Sequence, residues 1–269
     1  MANFPLAFRQ EVYNVILQCE PEAATDQDEL RICFANGQVA TVAEKDRVNF
    51  VLKSPQLLGW LMEPTSSALL INGHSDTTAF ISPMSHLCAF LAESLKTQRT
   101  PSGVFFCGLR CSTDSSSGAR DLVKSLIAQL MSRFEFDFSF LQGKKPRKLR
   151  KPGKLCWLLR ELLEMLPEGT LVFWIVDGVP WFENRDRISD TRCVFAELLR
   201  ITRESKRVIV KLLVTSAYRS CEVANLWEHG TVLDVPTFVD GERQDTLVTC
   251  ATLNDVGRTV LGVTQAHCN

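Results

Sequence analysis

The sequence predicts an α/β protein whose mostly parallel sheet is covered by helices on both faces. Three observations predict it. Leu171-Val172-Phe173-Trp174-Ile175-Val176 is an unbroken apolar run, rich in β-branched and aromatic residues and followed by Asp177-Gly178, as expected of a strand buried on both faces. From Ser67 onward, strand-like runs alternate with helix-like ones, which implies right-handed crossovers and parallel pairing. Just before the central run, Leu155, Leu158, Leu159, Leu162, Leu163 and Leu166 share one helical face, and Pro167 and Gly169 end that helix.

In chain order, Leu6 to Leu17 has mixed helical character. Arg31-Ile32-Cys33-Phe34 and Gln38-Val39-Ala40-Thr41-Val42 flank Ala35-Asn36-Gly37, which reads as a hairpin. Ser54-Pro55 then opens a short amphipathic helix carrying Leu57, Leu58, Leu61 and Met62, with Pro64 beyond its end. Strands are expected near 68–72, 103–107, 171–176, 208–214 and 231–235. Helices between them are marked by Leu87, Phe90, Leu91 and Leu95, by Leu122, Leu126, Ile127, Leu130 and Met131, and by Val194, Leu198 and Ile201. This divides the chain into an N-terminal extension over 1–65, a core over 66–236 and a C-terminal tail over 237–269, in which Thr246-Leu247-Val248 and Thr259-Val260-Leu261 have β-like character.

Composition narrows the class. The 269 residues are 45% hydrophobic and 23% charged, enough for a full core, and the net charge of -1 gives no global attraction to nucleic acid or membrane. No apolar run reaches the ~20 residues a bilayer span needs, and the start lacks a signal-peptide layout, so an intracellular, cytoplasmic or nuclear protein is expected. The 10 cysteines contain no C-x-x-C pair, and Cys88, Cys107 and Cys156 lie in apolar segments, which argues against a zinc site or a disulfide framework.

Asp177 ends its strand at the sheet's carboxyl edge, where open α/β sheets bind ligands. A carboxylate there can hold Mg²⁺ for a nucleotide phosphate, the Walker B arrangement. The competing reading is that Asp177-Gly178 only opens a turn.

A strand ending at Asn72-Gly73, the apolar strand ending Asp177-Gly178 and a strand ending Leu213-Val214-Thr215-Ser216 occur in the order used by NACHT-like P-loop NTPases of the STAND class. The stretch Gly103-Val104-Phe105-Phe106-Cys107-Gly108-Leu109-Arg110, followed by Ser125-Leu126-Ile127-Ala128-Gln129-Leu130, resembles fungal members of that group. The resemblance runs from about Ser66 to Pro236. It implies a P-loop NTPase-like three-layer fold with strand order 5-1-4-3-2, Asp177 on the third strand and Thr215-Ser216 at the sensor position of the fourth. A nucleotide would then lie against Gly73, His74, Ser75, Asp177, Gly178, Thr215 and Ser216, with Asp177 as the Mg²⁺ ligand and Asp177 and Glu183 as candidates for catalysis.

The phosphate loop departs from this pattern. Walker A is G-x-x-x-x-G-K-[ST], in which backbone N–H groups cradle phosphate, lysine neutralises it and the hydroxyl holds Mg²⁺. Aligned on Gly73, this chain has Thr78, Ala79 and Phe80 at the last three positions, and no lysine occurs between Gly73 and Lys96. Ser82-Pro83 reads as an N-cap followed by proline at N1, so the helix starts late and the serine takes donors a phosphate would use. Glu183 is displaced from the acids that usually follow Asp-Gly in the family, and Arg219 arrives two residues after the position directly following the sensor serine. Asp177 is therefore expected to cap a nearby turn or helix end by accepting from backbone N–H groups around Gly73 or Thr215. A scaffold or protein-interaction module without a cofactor is the first expectation. The alternative is a nucleotide-binding NTPase that takes Mg-ATP or Mg-GTP through an altered loop.

Two features remain. Lys144, Lys145, Arg147, Lys148, Arg150, Lys151 and Lys154 crowd a segment broken by Pro146, Pro152 and Gly153. Without an aromatic platform, a solvated loop is expected rather than a nucleic-acid site. The histidines His74, His86, His229 and His267 have no metal-like spacing; His74 is expected in an exposed loop, where it could meet an anion. Protein partners are expected and membrane contact is not.

Overall fold

The computed structural model describes residues 24–239 other than 76–78, 98–99, 112–117, 145 and 229, together with Val12 and Asn14. Its centre is a five-stranded, wholly parallel sheet. The strands are β1 (Ser67–Asn72), β2 (Ser102–Phe106), β3 (Leu171–Asp177), β4 (Ile209–Ser216) and β5 (Val232–Asp234). Their spatial order is β2-β3-β4-β1-β5, which read from the far edge is the expected 5-1-4-3-2. Register is explicit across the middle: Ile71 lies beside Thr215, Val176 beside Val214, and Phe106 beside Asp177.

Each strand sends alternate residues to opposite faces, so two apolar layers form. Leu69, Ile71, Val104, Phe106, Phe173, Ile175 and Leu213 point to one layer. It is roofed by α1 (Ala24–Val39), α2 (Val42–Lys53), α3 (Pro55–Met62) and α4 (Pro83–Thr97). Leu70, Phe105, Val172, Trp174, Val176, Val210, Leu212 and Val214 point to the other, roofed by α5 (Ala119–Arg133), α7 (Pro152–Glu164) and α8 (Ile188–Glu204). The helix α6 (Pro146–Leu149) is a single turn leading into α7. Along α7, Leu155, Leu158, Leu159, Leu162 and Leu163 are all fully buried, each contributing roughly 2 kcal/mol of apolar burial.

The N-terminal part differs from expectation. Instead of a hairpin over 31–42 the chain forms two helices joined at Ala40-Thr41. Thr41 builds a capping box for α2: its hydroxyl accepts from Glu44 N, while Glu44 Oε2 accepts from Thr41 N at 2.7 Å. In α1, Leu30 and Cys33 fall on the buried face with Gly37, whose lack of a side chain lets the His86 ring lie against its backbone. That close approach holds Asn36-Gly37 in a helix although the pair favours turns. Leu6 to Leu17 lies outside the described residues apart from Val12 and Asn14, as do Thr246–Val248 and Thr259–Leu261.

The start of α3 is as the sequence predicts, with Ser54 Oγ accepting from Leu57 N and Pro55 at the first helical position. The basic segment is not a plain loop: α6 and the first turn of α7 structure it, and Leu149 is buried between its charges. Among the described residues no helix is long and apolar enough to cross a membrane.

Candidate functional site

The carboxyl edge of the sheet brings Asp177, Thr215 and the first turn of α4 together. Asp177 is 1% exposed. Ser85 Oγ donates to its Oδ2 at 2.6 Å and Thr215 Oγ1 to its Oδ1 at 2.6 Å. Each carboxylate oxygen thus holds a hydroxyl from a different element. Burial pushes the carboxyl up to about 6, and the two hydrogen bonds oppose that rise. The donors are side-chain hydroxyls, so the expectation of backbone N–H donors around Gly73 or Thr215 is corrected. The backbone near Asp177 is committed elsewhere: Gly178 N donates to Thr215 O and Gly73 N to Ser216 O. Ser216 Oγ is buried and has no hydrogen-bond partner among the described residues.

Ser85 is the residue that sequence reasoning missed. Aligned on Gly73, Phe80 takes the hydroxyl position, yet the hydroxyl that meets Asp177 from the start of α4 is that of Ser85, preceded by Pro83 and Met84. The legible signal was Ser82-x-x-Ser85 at a helix start. Ser82 Oγ accepts from the N–H groups of Met84 and Ser85, at 3.2 and 3.4 Å, while Ser85 Oγ accepts from Ser82 N. The first-turn donors of α4 are therefore already engaged by side chains.

The segment before α4 folds across this edge. Phe80 is 54% exposed and stacks on Trp181, with ring centroids 4.5 Å apart and planes 22° apart. Its carbonyl packs so closely on Gly108 that no side chain fits there. Thr78 lies outside the described residues; Ala79 is exposed.

The other candidate residues have structural partners. Glu183 is the anchor of the turn after β4: Oε1 accepts from Ser220 Oγ and from the N–H groups of Glu222 and Val223, and Oε2 from Cys221 N. Among the described residues, Glu183 makes no hydrogen bond to Asp177. His74 has a left-handed backbone, φ 46°, and its Nε2 lies 2.9 Å from Asp234 Oδ1, which also accepts from Asn72 Nδ2. Burial works against the charge of Asp234, but these two donors, with the charges of His74 and Arg219, hold its carboxyl below the usual range. Ser75 N donates to Ala217 O, and a Cβ on Gly73 would fall 2.9 Å from the same carbonyl, so the Gly73–Ser75 backbone runs tight against the β4 exit. Arg47, unforeseen from sequence, donates to Gly73 O at 2.8 Å, Pro236 O at 3.1 Å and Thr237 O at 2.6 Å. Arg219 is exposed.

Chemically, the middle of the edge offers a buried acid held by two hydroxyls, with no lysine on the segment that leads into α4. Among the described residues, no group of three or more His, Cys, Asp or Glu could hold a metal ion. A cavity of about 410 Å³ is lined by Phe34, Gly37, Val48, Leu52, His86 and Phe90 among others, and Asp177 is not part of its lining.

The family model described as nephrocystin 3, N-terminal, matches residues 47–217. The chain belongs to the nephrocystin 3 N-terminal family. That match begins within α2 and ends one residue beyond β4, so Asp177, Ser85, Thr215 and Glu183 all lie inside the nephrocystin 3 N-terminal region. Ser220 and Asp234 lie past it. No curated protein matches the chain.

Proposed function

We propose that this domain is a NACHT-like, STAND-class core kept as a non-hydrolysing scaffold or protein-interaction module. The observation that carries the reading is the closed Ser85–Asp177–Thr215 triad, which spends the carboxylate on protein hydroxyls. The capped helix start supports it, because Ser82 occupies N–H groups that a phosphate needs. The missing lysine supports it too: losing one charge-assisted contact costs about 1.5 to 3 kcal/mol, roughly 10- to 100-fold in affinity. One feature favours a second reading, a nucleotide-binding NTPase with an altered loop. The Ser85 hydroxyl beside Asp177 is the pair of groups from which a Mg²⁺ site is built, should the triad open.

Isothermal titration with Mg-ATP and with Mg-GTP separates the two. The scaffold reading expects no saturable heat in the micromolar range. A micromolar Kd that disappears in Asp177→Ala overturns it. Thermal melting gives the same answer independently: a nucleotide-dependent rise in Tm, present in the parent and absent from both Asp177→Ala and Asp177→Asn, identifies a working metal ligand.

A further inference from the structure

The segment from Lys144 to Lys154 holds seven cations, and no acid occurs between Asp137 and Glu161. The chain as a whole carries -1, so the residues outside this segment carry -8. Lys144, Lys148, Lys151 and Lys154 are exposed, and none of these four forms an ion pair among the described residues. Helix α7 begins inside the cluster, with Lys151 at the N-cap, no side-chain cap and no acid in its first turn. The positive end of a helix dipole thus adds to a field of like charge, an arrangement a bound carboxylate relieves.

Aromatic rings flank the cations. Phe136, Phe138, Phe140 and Trp157 touch in sequence, with centroids 6.2, 6.3 and 5.8 Å apart, and Lys144 Nζ sits 4.5 Å from the centroid of the Trp157 ring. Phe136, Phe140 and Trp157 are half-buried. The aromatic neighbours that the sequence did not reveal are therefore present, though not as an open stacking platform. Neighbouring rings are tilted by 31° to 67°, and the ammonium of Lys144 lies over the face of Trp157.

We infer that the Lys144–Lys154 surface, with its Phe136–Phe140–Trp157 flank, is the docking surface for an acidic protein segment that carries leucine- or phenylalanine-like side chains between its carboxylates. The inference rests on the interaction-module reading and names the partner's chemistry. Carboxylates match the lysines and the α7 N-terminus, and apolar side chains match the half-buried rings. A short peptide fits better than a duplex or a bilayer. Either of those presents negative charge well beyond the segment, against a remainder already at -8, whereas a short segment can set its carboxylates over the lysines and its apolar side chains over the rings beside Glu135 and Asp137. Single-stranded nucleic acid needs free ring faces, which the tilted rings and Lys144 deny.

Fluorescence anisotropy on the full chain tests this, with a fluorescein-labelled peptide alternating Glu with Leu and Phe, and a control peptide in which Gly and Ser replace the apolar residues. The expected result is saturable binding at low salt. It weakens at least about tenfold in the K148Q/K151Q/K154Q variant, whose Tm matches the parent. The control peptide binds severalfold more weakly. Equal binding by the triple variant, equal binding by the two peptides, no saturable binding at low salt, or tighter binding of oligo(dT) or phosphatidylserine vesicles each overturns the inference. Failure of the scaffold reading shows separately, as a Mg-ATP-dependent rise in Tm, which leaves the anisotropy result standing.

Discussion

Burial raises the Asp177 carboxyl to about 6 from an ordinary 3.8, so between those values the folded chain keeps a proton that the unfolded chain has released. Stability from this group therefore falls as pH rises through that window and levels off above it, by on the order of 2 to 3 kcal/mol. Denaturant titrations from pH 4 to 7 should show this slope in the parent and not in Asp177→Asn. At neutral pH, Asp177→Ala leaves the Ser85 and Thr215 hydroxyls without an acceptor, at a cost of about 1 to 3 kcal/mol, or roughly 3 to 10 °C in Tm without nucleotide. Glu183→Ala should cost at least as much, because it strips acceptors from three backbone N–H groups and Ser220, while Glu183→Gln, which keeps the busier oxygen, should cost less. Differential scanning calorimetry of the three variants ranks them. Asp177 and Thr215 were legible in the sequence because apolar runs end at them. The partnership of Ser85 with Asp177 was not, since it joins residues 92 positions apart and rests on where the helix begins.

Helix starts decide most of what was and was not legible among the elements. Ser54-Pro55 and Ser82-Pro83 are strong local signals, and both helices form where the sequence places them. Thr41-x-x-Glu44 is as good a signal, but the alternating Arg31–Phe34 stretch and the Asn36-Gly37 pair suggested strands and a turn. Contact with α4 overrides that local preference. Thr41→Ala should therefore lower stability by about 1 kcal/mol, read as an earlier urea midpoint with an unchanged m-value. Gly108→Ala should be more costly, because its new methyl meets the backbone carbonyl of Phe80, which cannot swing away as a side-chain tip can. Loss of the Phe80–Trp181 stack should accompany it, seen as a change in tryptophan emission that Phe80→Ala reproduces.

Across the whole molecule, the parallel sheet was legible because five short apolar runs recur with helices between them, whereas the strand order came only from the family resemblance. A buried charge in the middle of that sheet was not legible. Lys211 is 1% exposed within Val210-Lys211-Leu212, and Nζ donates to Trp60 O and to Ser67 Oγ, both at 2.9 Å, tying α3 to β1 and β4. Burial lowers its pKa to about 8, with Glu63 opposing. The unfolded chain therefore binds more protons between about 8 and 10.5, and stability should rise with pH across that window. Lys211→Met should flatten the rise in melts recorded from pH 7.5 to 10. The sheet order also sets a timetable for synthesis. Among the described residues β1 pairs only with β4 and β5, so Leu69, Leu70 and Ile71 leave the ribosome with no strand to receive them until Ser216 has been made, a wait of roughly 7 to 30 s at ordinary elongation rates. For that interval the nascent chain presents an unpaired apolar edge to its surroundings. Chaperone occupancy on stalled chains should accordingly be high when the ribosome stops shortly after β3 and drop once β4 has cleared the exit tunnel.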